Sequence, residues 1–282
     1  LLLALAADDP DCFALIWRWT SDHLGVRHDG LFAWKWEPGR AVVADRNDAT
    51  DGDVLIAWAL AEAAQRFNRA DYGVEARRIA DAVAAAAVRP NALGPVLLPA
   101  AAGFGPADQP GGPVVNLSYW IFPAFRDFAA LWPKSPWGGL RASGFKLLDV
   151  ARFGPLGLPA DWVSVAGAMP APAHGFPATF GYDAIRIPLY LAWDGDAPPP
   201  LLSAFARFSP ASDPSVIEVS TGASGSSMGG VGYRAIFALA RCAARGETVP
   251  PDLMTARDTL YYPETLRLLS LSIIQERYPR CL

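Results

Sequence analysis

Residues 49–67 read Ala49-Thr50-Asp51-Gly52-Asp53-Val54-Leu55-Ile56-Ala57-Trp58-Ala59-Leu60-Ala61-Glu62-Ala63-Ala64-Gln65-Arg66-Phe67, and this stretch decides the fold. Two carboxylates, Asp51 and Asp53, open a helical run in which only Glu62, Gln65 and Arg66 are polar. Taken alone, the run describes a capped helix: Thr50 or Asp51 accepts free backbone N–H groups, and acidic side chains in a first turn are favoured by the helix dipole. A helix apolar on nearly every side is buried on nearly every side, however, and its acidic mouth then faces a shared interior. That combination points to the inner ring of a helical barrel whose rim receives a polar ligand.

Helical patterns recur near residues 1–7, 10–24, 50–68, 71–88, 117–130, 134–151, 182–194, 200–207, 230–244 and 262–277, while strand signals are sparse. The best of these is a hairpin over 31–44, with Glu37-Pro38-Gly39 as its turn. About ten helices of middling length suit paired inner and outer helices. A chain of 282 residues buries roughly three quarters of its unfolded surface as one domain, and the Pro/Gly-rich stretches at 89–113 and 195–215 are short enough to be loops. We therefore expect one domain over 1–282, all-α, with a minor β-hairpin.

Composition excludes several functions. A net charge of −4 without a basic cluster argues against nucleic acid or an anionic membrane as partner, and no apolar run of eighteen residues spans a bilayer. Cys12, Cys242 and Cys281 lack metal-ligand spacing and only three His are present, so neither zinc nor any other cofactor is expected. The Gly/Ser-rich run 221–230 lacks the Lys of a phosphate-binding loop. The 10 Trp, 8 Tyr and 14 Phe serve either a core or sugar stacking, and position decides between them. Leu1–Ala7 is not a signal-peptide core, because no basic residue precedes it and Asp8, Asp9 and Asp11 follow at once; it reads as the back half of a helix.

The 49–67 run resembles the signature of glycoside hydrolase family 8, with Ala49, Thr50, Asp51, Gly52, Asp53, Ile56, Ala57, Ala59, Leu60, Ala63 and Phe67 all fitting. The resemblance implies an (α/α)6 barrel of six hairpins and an inverting endo-β-1,4-glucanase that acts on a β-1,4-linked glucan without cofactor. It extends to Gly181-Tyr182-Asp183-Ala184-Ile185-Arg186. There Asp183 and Arg186, spaced i, i+3, share a helical face, and the arginine keeps the carboxylate ionised. Inversion needs such a base to deprotonate water opposite the leaving group. The resemblance gives that role to Asp183, and Asp51 becomes the carboxylate that favours the distorted sugar ring.

Other site residues follow from the same resemblance. Trp34 matches a position where an indole stacks on glucose. Asp53 either binds sugar or braces its loop. Tyr182 and Arg186, which flank the base, are expected among the substrate-binding residues. Asn116-Leu117-Ser118-Tyr119 offers Tyr119 to a sugar hydroxyl, and Phe125 stands where a stacking Trp is common. Trp162 is expected in the core, and Tyr261 or Tyr262 at the cleft rim or packed at its helix start. The general acid is a Glu that, in the family, precedes the segment resembling Leu1–Asp9; it is expected upstream of Leu1. Glu37, Glu62 and Glu75 have no reason to replace it. By resemblance the enzyme is periplasmic or secreted, and it is expected as a monomer. A xylanase or mixed-linkage glucanase of the same family, a non-catalytic glucan-binding relative, and a terpene-cyclase-like toroid with Asp51 and Asp53 on magnesium remain as alternatives.

Overall fold

The computed structural model describes residues 1–282. Its helices are α1 (Leu2–Ala6), α2 (Pro10–Leu24), α3 (Thr50–Arg66), α4 (Ala70–Ala87), α5 (Phe122–Leu131), α6 (Trp137–Val150), α7 (Ile187–Asp194), α8 (Pro199–Ser203), α9 (Val231–Arg245), α10 (Pro251–Thr255) and α11 (Tyr261–Arg277). The odd-numbered helices pack in succession, and α11 returns against α1. The ring closes as an (α/α)6 toroid with α2, α4, α6, α8 and α10 outside it.

Helix α3 shows why the ring forms. Val54, Ala57, Ala59, Leu60 and Ala63 are all 0–1% exposed, and small side chains let neighbouring helices approach. Its partner α4 passes so close that a Cβ on Gly73 would lie 3.5 Å from Ala64. The start of α3 is not capped by a side chain. Instead the buried Thr50 donates from its amide to Pro99 O (2.9 Å) and from its hydroxyl to Leu98 O (2.8 Å). Asp51 and Asp53 are thereby freed for other partners. The opposite end of α3 is tied by Arg66 to Asp8, just beyond α1, at 2.8 Å. Helices α1 and α3 therefore run in the same direction.

Two expected helices are broken, both at prolines. The 117–130 pattern splits into a 3₁₀ turn at Leu117–Tyr119 and α5; the 182–194 pattern splits into a 3₁₀ turn at Ala184–Arg186 and α7. Pro123 and Pro188 stand in the first two positions of α5 and α7, where a missing N–H costs nothing but continuation from the preceding turn is blocked. Helix α7 ends at Gly195 (φ 81°), and its last residue, the fully buried Asp194, takes a two-pronged contact from Arg141 at 2.8 and 2.6 Å.

Much of the aromatic content is core. Phe122, Phe125, Phe128 and Trp137 are 0% exposed between α5 and α6, with Phe125 and Trp137 ring centres 5.2 Å apart. Strands are short: β1 (Lys35–Glu37) pairs with β2 (Val42–Asp45) around the Pro38-Gly39 turn, and two small antiparallel sheets brace the loops before α5 and α7. Cys242 in α9 and Cys281 near the C-terminus, both fully buried, form a disulfide. No helix is long and apolar enough to cross a membrane.

Candidate active site

The N-terminal ends of α3, α7, α9 and α11, with the turn preceding α5, converge on one rim. At their centre lies Arg186, whose side chain is 11% exposed. Its guanidinium donates to Asp51 Oδ2 (2.7 Å), Ser118 Oγ (2.7 Å) and Asp183 Oδ1 (3.2 Å), and lies over the Tyr119 ring at 5.4 Å. One planar fork thus gathers residues from α3, the 117–119 turn and the 184–186 turn. Only arginine offers donors in that geometry. The expected pairing of Asp183 with Arg186 is present, but across a 3₁₀ turn, where residues three apart eclipse one another.

Asp183 and Asp51 differ in surroundings. Asp183 keeps 34% of its side chain open to solvent, whereas Asp51 keeps 15%. Burial pushes the Asp183 carboxyl above its usual range; the charge of Arg186 and the nearby Asn116 amide pull it back, and Asp51 pushes it up again. That amide nitrogen makes no hydrogen bond of good geometry, so its influence on Asp183 is through proximity. Asn116 Oδ1 accepts from both the amide (3.1 Å) and hydroxyl (2.7 Å) of Ser118, which orients the hydroxyl's oxygen toward Arg186.

Tyrosines build the rest of the rim. Tyr182 is 47% exposed, and its backbone carbonyl accepts from Tyr262 Oη at 2.8 Å. Tyr233 stands between them, ring centres 5.6 Å from Tyr182 and 6.0 Å from Tyr262, with its hydroxyl pushed up to about 12 by burial. Tyr262, not the 86%-exposed Tyr261, is the member of that pair reaching the site. Tyr119 is half-buried beneath Arg186, and burial raises its hydroxyl.

Asp53 accepts the Phe32 amide at 2.9 Å and is 1% exposed, so it braces the segment leading to Trp34 and does not meet a sugar. Its other oxygen has no partner, and burial drives its pKa well up. Trp34, two residues beyond that brace, is 52% exposed with the Lys35 ammonium 5.5 Å from its ring. Phe125 requires a correction: it is sealed against Trp137 and reaches no ligand, because α5 begins at Phe122 and turns that face into the core. Trp162 is only half-buried, stacked between Phe104 (5.4 Å) and Phe176 (4.8 Å) and 6.4 Å from Tyr119.

The remaining acidic candidates lie elsewhere. Glu62 lines a cavity of about 160 Å³ with Trp58, Arg126 and Asp127 at the ring's opposite end. Glu75 pairs with Arg78 on α4, and Glu37 with Arg40 in the hairpin. Asp51 is taken by Arg186 and Asp53 by a backbone amide, so the two do not form a metal-binding pair. Sequence reasoning gave no role to Ser118, Asn116 or Asp161. Ser118 and Asn116 lie in the same short segment as Tyr119, and only tertiary contact reveals what they hold.

The rim of the helical toroid gathers Asp51 and Asp183 on Arg186 beside the exposed Trp34 and Tyr182, an arrangement suited to a polysaccharide. The chain belongs to glycosyl hydrolase family 8, whose model matches residues 1–276. It is 35% identical over 277 residues to a probable endoglucanase of Novacetimonas hansenii, covering 95% of this chain and 79% of that one. It is 38% identical over 195 residues to an endoglucanase of Cellulomonas uda, 68% of this chain but 54% of the relative's length. Among solved structures, the endo-β-1,4-glucanase CMCax from Acetobacter xylinum superposes with a TM-score of 0.85 at 33% identity, over 97% of this chain and 86% of that one. Endoglucanase Cel10 from Klebsiella pneumoniae gives 0.86 at 32%, over 98% and 88%. Membership in this family displaces the terpene-cyclase alternative.

Proposed function

We propose that the protein is an inverting endo-β-1,4-glucanase in which Asp183 is the general base. The observation that carries this reading is the shared Arg186 contact, which sets two carboxylates of unequal exposure on one guanidinium at the ring's mouth. The more open one, Asp183, is suited to receive a proton from water; the enclosed Asp51 is suited to hold sugar hydroxyls and favour the distorted ring. Trp34 offers an exposed indole for stacking and Tyr119 a hydroxyl beside the cleavage point. Tyr182 edges the same cleft.

An inverting hydrolase also needs a protonated acid across the scissile bond, roughly 6.5–9.5 Å from the base. Glu37, Glu62 and Glu75 are engaged away from Asp183 and do not supply it.

The Cys242–Cys281 disulfide supports an oxidising compartment, in keeping with a periplasmic or secreted enzyme. Asp51, Asp183 and Arg186 come from one chain, which suits a monomer.

The test is reducing-end release by the complete native protein from carboxymethylcellulose, with xylan and chitosan in parallel. Release from the cellulose derivative alone, or far faster than from the others, supports the reading. Preference for xylan would move it to the xylanase of the same family, and silence on every polymer would leave a glucan-binding protein.

A further inference from the structure

Asp161 is a half-buried carboxylate close to the catalytic turn with no place in the mechanism above. It belongs to the loop that also presents Trp162, and its own amide donates to Thr179 O at 2.7 Å. One oxygen, Oδ1, accepts two backbone amides: Gly181 N at 2.9 Å and Ala184 N at 2.8 Å. These amides stand on either side of Tyr182 and Asp183. Oδ2 takes the Thr179 hydroxyl at 3.3 Å.

The 184–186 turn has no side-chain cap of its own, since Asp183, in the capping position, turns its carboxylate to Arg186. An unpaired amide beside the base would be costly, and Asp161 supplies the acceptor from a distant part of the chain. Gly181 records the closeness of the fit: a Cβ there would lie 2.7 Å from Asp161 Oδ2.

We propose that Asp161 is a positioning residue that holds the turn carrying Asp183 by clamping the Gly181 and Ala184 amides, and so sets the direction of the catalytic carboxylate. The inference rests on Asp183 being the base. Because both amides share a single oxygen, an asparagine keeps the clamp and an alanine removes it. A displacement of about 1 Å in a reacting group costs about a hundredfold in rate, so the clamp acts on turnover and not on substrate affinity.

The experiment compares Asp161→Ala, Asp161→Asn and Asp183→Asn in the full native protein, reading kcat, KM and amide hydrogen exchange at residues 181–184. Asp161→Ala is expected to lower kcat about a hundredfold with KM within about twofold, and to speed exchange at Gly181 and Ala184. Asp161→Asn should recover most of both. A kcat in Asp161→Ala within about threefold of wild type would overturn the proposal, as would an asparagine no better than alanine, or a rate loss that only follows the folded fraction. Should Asp161→Ala not fold, Gly181→Ala displaces the carboxylate while leaving it in the chain and must show the same loss. If Asp183→Asn keeps full activity, the base assignment fails, and exchange at Gly181 and Ala184 still decides whether Asp161 holds the turn.

Discussion

Replacing Arg186 by glutamine removes the one cation that Asp51, Asp183 and Ser118 share. The guanidinium is 11% exposed and Asp51 15%, so that pair is largely desolvated, while Asp183 at 34% is partly screened. Removing one partner of a buried pair costs about 3–5 kcal/mol, and the solvent at Asp183 argues for the lower end. About 3 kcal/mol corresponds to a fall in Tm of about 8 °C for a domain of this size. Activity must change in a second way. Arg186 holds the Asp183 carboxyl down against burial, so without it the pKa rises; a base is lost as pH falls through its pKa, and the acidic limb of the kcat profile moves to higher pH. Arg186→Lys restores the charge but not the three-way fork, so it should return the limb toward its original position while leaving kcat low. The assay is kcat against pH with thermal unfolding of each variant. An acidic limb that stays in place in Arg186→Gln, or a lysine variant with full kcat, would exclude Arg186 as the group that holds the Asp183 carboxyl down.

Three further outcomes follow from residues around the ring. Asp53 has a raised pKa in the folded state, so the wild-type protein loses stability as pH climbs above the ordinary carboxylate value of 3.8; Asp53→Asn keeps an acceptor for the Phe32 amide and should gain Tm relative to wild type as pH rises above that value, a gap independent of pH being contrary. Cys242 and Cys281 close a loop of sequence separation 39, worth about 4 kcal/mol by chain entropy, so Cys242→Ala with Cys281→Ala should lower the denaturation free energy by about that amount in urea. Trp34→Ala exposes little new core, since the ring is half open already, and should raise KM for a soluble glucan several-fold, by about 1 kcal/mol, with Tm unchanged; an unchanged KM would remove Trp34 from the binding surface.

The toroid was legible because its inner helices declare themselves: α3 is apolar all round with an acidic mouth, and α7 is apolar on every side apart from Asp194. The pairing of Asp183 with Arg186 could be foreseen from spacing alone. What escaped was tertiary. Nothing local says that Arg186 also reaches Asp51, 135 residues away, or that Asp161 caps a turn 23 residues on. Asp53 and Asp51, two residues apart, look equivalent in sequence; helical rotation points one at Phe32 in the interior and the other at the cleft. Phe125 illustrates the reverse: a position chosen by motif, carried into the core because α5 begins at Phe122. The disulfide was hidden because three cysteines give no pairing until α9 and the C-terminus are brought together.

The most direct measurement is the turnover of Asp183→Asn on carboxymethylcellulose in the complete native protein, with folding verified by its thermal transition. The account predicts a loss of about a thousandfold, or about 4 kcal/mol of transition-state stabilisation, at near-native Tm. A folded Asp183→Asn variant within about tenfold of wild type would contradict the assignment of the base.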